Sequence, residues 1–189
     1  MLELTEFLCE HIEVAKSLER DLPKVQSAAY DCVKSLKNGG KIFICGNGGS
    51  AADAQHFAAE LTGRFEKKRQ SLPAIALTTD SSALTAIAND YNYDAVFSRQ
   101  LEGLSSPGDV IIGISTSGTS QNILSIFQDP QFRNLTSIFL TGNSTKIEMI
   151  DKVDHSISIS STKTARIQEL HIFVLHCICS IIDSEFSNE

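Results

Sequence analysis

The feature that most constrains this chain is an apolar run that passes through a glycine turn into an alanine-rich helix. The run Lys41–Ile44 is predicted to be a buried strand, and Gly46–Ser50 forms the turn that follows it. In such a unit the first N–H groups of the helix and the positive end of its dipole face the turn. The pattern therefore predicts an α/β fold with an anion-binding turn at the end of a strand.

Short β-type runs alternate with helical stretches along most of the chain. Most of these runs are uniformly apolar, which is typical of a parallel sheet covered on both faces. The predicted strands are Lys41–Cys45, Pro73–Leu77, Asp109–Ile114, Thr136–Leu140 and His155–Ile159. The predicted helices lie near Ala51–Arg64, Ser81–Asn89, Tyr93–Leu104, Ser120–Phe127 and Lys146–Met149, with a last helix from about Thr164 to Ser184.

The fold class that follows is α/β, a three-layer α/β/α sandwich around a mainly five-stranded parallel sheet. The last strand alternates polar and apolar residues, which predicts an edge position. Two amphipathic helices fill the first forty residues, and the second begins at Asp21 and Pro23 and ends at Asn38–Gly40. No repeat or long linker divides the chain, so we expect one domain, 1–189, with N-terminal helices in 1–40 and an α/β core in 41–189.

Charge and composition limit the classes of partner that this chain can have. The chain has 16 basic and 23 acidic residues and a net charge of −7, which argues against nucleic acid or an anionic membrane as a partner. The segment Met1–Glu6 lacks the order of a signal peptide, and no apolar stretch approaches the roughly 20 residues of a membrane span. Five cysteines without a CxxC pair indicate reduced, mostly buried thiols and a cytoplasmic protein.

Three polar loops follow predicted strands: Gly46–Ser50, Thr78–Asp80 and Ser115–Ser120. The third leads directly into a helix, and Ser120 is placed to cap it. Its hydroxyls and the N–H groups of the helix start can surround a phosphate without a lysine; the alternative is an ordinary capped loop. It is not a Walker loop, because no Gly-Lys-Ser/Thr sequence follows.

His56 and Glu60 are four residues apart on the first helix after the glycine turn, so they share one face. They can be metal ligands, an acid–base pair or a surface pair, and the residues alone leave all three open. Gln55 and Arg64 flank them, and Arg64 can join the phosphate or form a salt bridge with Glu60.

The last helix offers Gln168, Glu169, His171 and His176 beside a wide apolar stripe. Gln168 and His176 are eight positions apart, so they point about 80° apart and lie roughly 12 Å apart along the axis. That separation favours an active site to which different subunits contribute. Among the remaining histidines, His11 is expected on a helix surface and His155 at a strand end.

Several segments together resemble one known family. They are Gly46–His56, Leu77–Asp80, Ala86–Asp90, Phe97–Gln100, Gly113–Gly118 and Ala165–Glu169. In this order, and over nearly the whole chain, they resemble the bacterial phosphoheptose isomerases, which are sugar-isomerase (SIS) domain proteins with a flavodoxin-like fold. One departure is Thr119, at a loop position where many members have asparagine.

The resemblance implies interconversion of sedoheptulose 7-phosphate and D-glycero-D-manno-heptose 7-phosphate, the first step toward ADP- or GDP-heptose for surface polysaccharide such as lipopolysaccharide. It also implies a cytoplasmic homotetramer, built in part by the N-terminal helices, with sites between subunits and one Zn²⁺ per subunit.

Site residues follow from the same resemblance. The phosphate would be bound by Ser115, Thr116, Ser117 and Ser120, and the sugar by Asn47, Gly48, Gly49, Asn89 and Asp90. The zinc ligands would be His56, Glu60, Gln168 and His176, with Glu60 and Gln168 also touching substrate. Ser50 and Arg64 complete the candidate substrate-binding set. Isomerisation through an enediol needs a base and an acid, which we assign to Glu60 and His176.

Two alternatives stay open at this point. A non-catalytic relative on the same fold binds the replication initiator DnaA, but it lacks counterparts of Glu60 and His176, and this chain has both. The other alternative is a different sugar-phosphate isomerase or a sugar-phosphate-binding regulator. Regulators usually carry an added DNA-binding domain, for which 189 residues leave no room.

Overall fold

The computed structural model of the chain describes residues 3–143 and 152–187. The helices are α1 (Leu4–Ser17), α2 (Leu22–Lys37), α3 (Gly49–Thr62), α4 (Ser81–Asp90), α5 (Ser98–Leu104), α6 (Gln121–Gln128) and α7 (Thr164–Phe186). The strands are β1 (Ile42–Gly46), β2 (Ala74–Ala76), β3 (Val110–Ser115), β4 (Thr136–Gly142) and β5 (His155–Ile159). Single 3₁₀ turns lie at Leu18–Asp21, Tyr93–Ala95 and Pro130–Phe132.

The strands form one five-stranded sheet in the order β2-β1-β3-β4-β5, and every pair is parallel. The predicted parallel sheet is confirmed, and so is the edge position of β5. Because all strands run the same way, their carboxyl ends meet at one edge. This is the edge at which α/β sheets bind ligands.

Successive residues of a central strand face opposite layers, which makes the fold a three-layer sandwich. Ile42 and Ile44 of β1 pack into a core cluster with α2, α3 and α7. Phe43 and Cys45 pack into a second cluster on the other face, with α5 and α6. Both faces of the sheet are therefore covered, as the uniformly apolar strands predicted.

One predicted helix is wrong in its extent. The stretch Tyr93–Leu104 is a 3₁₀ turn followed by the separate helix α5. Asn92 caps the start of this turn by accepting a hydrogen bond from the N–H of Ala95 at 2.9 Å, and the buried residues Val96 and Phe97 separate the turn from α5. The other described boundaries lie within two residues of their predictions, and the predicted helix Lys146–Met149 lies outside the described residues.

Helix α7 corrects a second expectation. It is long and apolar enough to cross a membrane by length and composition alone, although no such stretch was expected. Polar residues spaced along it, among them Gln168 and His176, hid this property. Half of its most apolar window is buried inside the fold, where it packs on α2 and α3, as a core helix does.

Candidate functional site

The glycine turn and the serine loop lie next to each other at the carboxyl edge of the sheet. β1 ends at Gly46 and its neighbour β3 ends at Ser115, with Gly46 paired to Ile114. Each loop turns on a glycine with positive φ, +56° at Gly48 and +70° at Gly118, where a side chain would be strained. The sequence correctly predicted that these two loops converge.

A pair of asparagines joins the two loops. Asn47 Nδ2 donates to Asn122 Oδ1 at 2.9 Å, and Asn122 Nδ2 donates to Asn47 Oδ1 at 2.9 Å. The hydroxyl of Tyr93 also donates to Asn47 Oδ1, at 3.2 Å. Sequence reasoning missed Asn122 and Tyr93. For Asn122 the sequence did offer a signal, a polar residue among the apolar positions of the amphipathic helix α6.

The serine loop presents hydroxyl groups that bond to one another. Ser115 Oγ lies 3.0 Å from Ser120 Oγ, and Ser117 Oγ lies 2.9 Å from Thr119 Oγ1. Ser120 occupies the N-cap position of α6, but its side chain makes no capping bond, so that part of the prediction is wrong. The hydroxyl faces Ser115 across the loop instead.

His56, Glu60 and His176 come together within one chain. His56 Nε2 lies 2.9 Å from His176 Nε2 and 3.2 Å from Glu60 Oε1. The ring of Phe65 packs on the other side of His176, with 5.4 Å between the ring centroids. The helices α3 and α7 therefore place the predicted base and the predicted acid around a shared histidine.

Gln168 lies nearer the start of α7 than His176 does. A Cβ built on Gly49 would come within 2.4 Å of Gln168 Nε2, so Gln168 packs against the first turn of α3 and would have to move to admit a side chain there. His176 contacts His56, almost two helical turns further along α3. The predicted axial separation of Gln168 and His176 thus persists within the chain.

The four residues proposed to bind zinc differ in how far their side chains are arranged for a metal. Across 3–143 and 152–187, no three histidine, cysteine or acidic side chains are preformed as a metal-binding group. His56 and His176 instead share a hydrogen bond. Two imidazole nitrogens, a carboxylate and an amide oxygen are nevertheless donors that Zn²⁺ accepts, so the chemistry of the set fits the ion.

The remaining substrate-binding candidates occupy different surroundings. Ser50 is buried, at 3 % exposure, in the first turn of α3. Asn89 and Asp90 end α4, and Asn89 Nδ2 donates to Asp90 Oδ1 at 2.8 Å. Arg64 is exposed and, within the described part of the chain, it forms no salt bridge with Glu60. The salt-bridge alternative for Arg64 is therefore not observed.

An ion pair that sequence reasoning missed caps the end of α3. Arg69 Nε donates to Asp183 Oδ1 at 2.7 Å, and the guanidinium also bonds the backbone carbonyls of Glu60 and Leu61, at 2.7 and 2.8 Å. Both side chains are almost fully buried, at 0 % and 2 % exposure. Burial alone would raise the pKa of Asp183, but bonds from Arg69 and from two backbone N–H groups outweigh it and lower that pKa.

The other histidines are structural. His171 lies in the core, where burial lowers its pKa to about 4, and its Nε2–H donates to the carbonyl of Thr141. His155 begins β5, as predicted, and bonds Asp31 at 2.7 Å. His11 is more than a surface residue, because its Nδ1 lies 2.7 Å from Glu169 Oε2 and links α1 to α7.

Comparison with known proteins identifies the family of the chain. The family model described as "SIS domain" matches residues 6–142. The chain is 51 % identical over 185 residues to the phosphoheptose isomerase of Aliarcobacter butzleri, covering 98 % of this chain and 97 % of that protein. It is also 51 % identical over 178 residues to that of Campylobacter jejuni serotype O:6, covering 94 % and 95 %.

Solved structures are similar over the same extent. Phosphoheptose isomerase GmhA from Neisseria gonorrhoeae matches with a TM-score of 0.87 and 45 % identity, covering 96 % of this chain and 97 % of that one. A phosphoheptose isomerase from Francisella tularensis matches with a TM-score of 0.89 and 35 % identity, covering 96 % of each chain. The chain therefore belongs to the SIS-domain family and, within it, to the phosphoheptose isomerases.

Proposed function

We propose that this chain is an aldose–ketose isomerase that interconverts sedoheptulose 7-phosphate and D-glycero-D-manno-heptose 7-phosphate. The observation that carries the proposal is the convergence of Glu60 and His176 on His56, on a helix that begins at the glycine turn. Relatives at about half identity over nearly the whole chain are named phosphoheptose isomerases, which supports the same reaction.

The chemistry needs one proton to move between adjacent carbons. In the proposed step, the Glu60 carboxylate takes the proton from the carbon next to the carbonyl, and His176 donates a proton to the carbonyl oxygen. The product of this half-reaction is an enediol. Glu60 then gives its proton to the former carbonyl carbon. The hydroxyl on the carbon that lost its hydrogen gives its proton to His176 and becomes the new carbonyl, so neither side chain changes overall.

The serine loop would bind the phosphate end of the sugar. Its hydroxyls at Ser115, Ser117 and Ser120 and the backbone of Thr116 lie together at the carboxyl end of β3. The chain is acidic overall, so local hydrogen-bond donors rather than a broad basic surface would hold the anion. The phosphate would then fix the sugar with its carbonyl end toward α3.

The proposal includes a zinc ion because four side chains of the chain could donate to it. His56, Glu60, Gln168 and His176 are the residues that would hold it. A bound zinc ion would polarise the substrate carbonyl and stabilise negative charge on its oxygen. Because a coordinated carboxylate is a weaker base, the two roles of Glu60 compete, and the metal dependence of the rate measures their balance.

The assembly and setting are part of the same proposal. The N-terminal helix α1 has no buried residue, and it exposes apolar side chains at Leu4, Phe7, Leu8 and Ile12. A homotetramer that covers these side chains and completes sites between subunits fits this surface. We further propose a cytoplasmic location and a role in supplying heptose for lipopolysaccharide or a related surface polysaccharide.

The deciding experiment incubates the purified chain with sedoheptulose 7-phosphate and follows aldose formation with and without a chelator. Formation of the heptose phosphate supports the isomerase. A folded protein that forms none contradicts it and favours the adaptor alternative, which no relative described above supports. Loss of the rate on chelation, and its recovery with added Zn²⁺, tests the metal separately.

A further inference from the structure

The side chain of Asn47 is largely committed to other protein groups. Its Oδ1 accepts two hydrogen bonds, from Asn122 Nδ2 at 2.9 Å and from the Tyr93 hydroxyl at 3.2 Å. Its Nδ2 donates one bond, to Asn122 Oδ1. A side-chain amide has two acceptor sites and two N–H donors, so only one N–H of Asn47 remains for a ligand.

Asn122 is the buried half of this pair. It is 2 % exposed and lies in the first turn of α6, two residues after Ser120. A buried amide is costly unless its polar atoms are bonded, and in the described part of the chain both polar side-chain atoms of Asn122 bond the side chain of Asn47. The pair therefore fixes the glycine turn to the helix that carries the serine loop.

The glycine turn is held from the opposite side as well. Gly49 lies so close to the Gln168 amide that a Cβ there would come within 2.4 Å of it. The turn thus lies between α6, through Asn122, and α7, through Gln168. Its position decides where α3 begins, and α3 carries His56 and Glu60.

We propose that Asn122 is a positioning residue for the isomerase reaction. Through Asn47 it sets the distance between the serine loop, which would hold the phosphate, and α3, which carries the proposed base. This inference rests on the proposed function. It differs from the sequence expectation for Asn47, because the Asn47 side chain acts mainly on the protein and its sugar contacts come chiefly from the backbone of the turn.

A positioning role affects turnover more than phosphate binding. The hydroxyls of the serine loop bond to one another and do not depend on Asn122. Loss of the asparagine pair would leave that loop in place and shift the turn. Small displacements of reacting groups cost large factors in rate, whereas binding of the anion at the far end of the substrate would persist.

The test is a double-mutant cycle of Asn122→Ala, Asn47→Ala and the double variant, assayed with sedoheptulose 7-phosphate. For Asn122→Ala we expect kcat to fall about tenfold or more, with the inhibition constant of inorganic phosphate within about threefold of wild type. Because the two residues act as one unit, the double variant should have a kcat within about threefold of the slower single variant.

A matched control separates positioning from general instability. Ile126→Val shortens a core side chain on the same helix. Ile126 is 1 % exposed and packs in the second core cluster, which does not include Asn47. The substitution should lower the melting temperature without a comparable loss of kcat. If Asn122→Ala fails to fold, Asn122→Ser supplies the same comparison, because a single hydroxyl cannot make both bonds of the amide pair.

Four results would contradict either the inference or the proposed function. A folded Asn122 variant with wild-type kcat overturns the inference, and so do losses that multiply in the double variant, since Asn47 would then act independently on the sugar. Equal loss of kcat in Ile126→Val at the same melting temperature also overturns it. A wild-type chain without turnover contradicts the proposed function itself.

Discussion

At the residue scale, the site depends on the contacts of His56. This histidine lies within 3.2 Å of both Glu60 Oε1 and His176 Nε2, so it holds the proposed base and the proposed acid in one cluster. Sequence spacing predicted the His56–Glu60 pair, because residues four apart share a helix face. It could not derive the contact with His176, which depends on how α7 packs on α3 across 120 residues.

The role of Glu60 as the base gives the first prediction. Glu60→Gln keeps the size of the side chain and removes the group that takes the proton, so kcat should fall by about 10²- to 10⁴-fold. The inhibition constant of inorganic phosphate should change little, since the serine loop is untouched. Steady-state kinetics with phosphate as inhibitor measures both quantities, and a variant with near wild-type turnover would remove Glu60 from the base role.

His176 should contribute to both metal content and rate. Replacing it in His176→Ala removes one imidazole donor beside His56 and the proposed acid, so we expect less zinc per chain and a kcat lower by about 10²-fold or more. Metal analysis of the purified protein and the isomerase assay check the two effects independently. Phe173→Ala, on an exposed position of the same helix, is a control that should leave both unchanged. Unaltered zinc and unaltered rate in His176→Ala would exclude this residue from the site.

At the scale of elements, helix α3 is fixed at both of its ends. Its first turn lies between Asn122 and Gln168, and its last carbonyls, from Glu60 and Leu61, bond the guanidinium of Arg69. Arg69 in turn is held by Asp183 near the end of α7. The long-range ion pair thus stabilises the turn of α3 that carries the proposed base.

Removing the carboxylate of Asp183 should destabilise the fold strongly. Asp183→Asn leaves the buried guanidinium of Arg69 without its counter-charge, and breaking such a pair costs about 3–5 kcal/mol in the free energy of unfolding. Urea unfolding at neutral pH measures this cost. Glu185→Gln changes the charge equally at an exposed ion pair with Lys37 two residues away, and there we expect a change below about 1 kcal/mol.

The same pair predicts a pH dependence. The folded-state pKa of Asp183 lies below its ordinary value of 3.8. Its stabilising contribution is therefore complete above that value and is lost as the pH falls through the lower folded-state pKa. The difference in unfolding free energy between wild type and Asp183→Asn should shrink as unfolding is measured at successively lower pH below 4. A constant difference down to acid unfolding would contradict the assigned cause.

Most elements could be predicted from the sequence because their signals are local. Short apolar runs marked β1 to β4, alternation of polar and apolar residues marked β5, and Asp21 with Pro23 marked the start of α2 to within a residue. The prediction for Tyr93–Leu104 was wrong in its extent, because the interruption falls at Val96 and Phe97, two core residues that carry no local helix-breaking signal. The Arg69–Asp183 pair had no local signal, since its members are 114 residues apart and become partners only when α7 packs beside α3.

At the scale of the whole molecule, α1 leaves much of its apolar surface exposed. It has no buried residue, although its sequence is amphipathic. It contacts the rest of the chain through His11, through Val14 and Ala15 on the core, and through Phe7, whose ring centroid lies 3.8 Å from the guanidinium carbon of Arg166. Leu4 and Leu8 remain 78 % and 57 % exposed on one side of the helix.

An apolar helix face left open in a single chain predicts an interface with further copies of the chain. Leu8→Glu places a charge at the middle of this face, and burying that charge would cost far more than an interface of leucines gains. We expect the variant to elute at a smaller mass than the wild type in size-exclusion chromatography with light scattering. Lys16→Gln, which makes the same change in net charge at an exposed position of α1, should keep the wild-type mass.

Because sites that draw on more than one subunit fail with the assembly, kcat of Leu8→Glu should fall with the mass and recover at protein concentrations high enough to restore it. A fully active Leu8→Glu monomer would show that one chain holds the complete site, and an unchanged mass would exclude this face from the assembly.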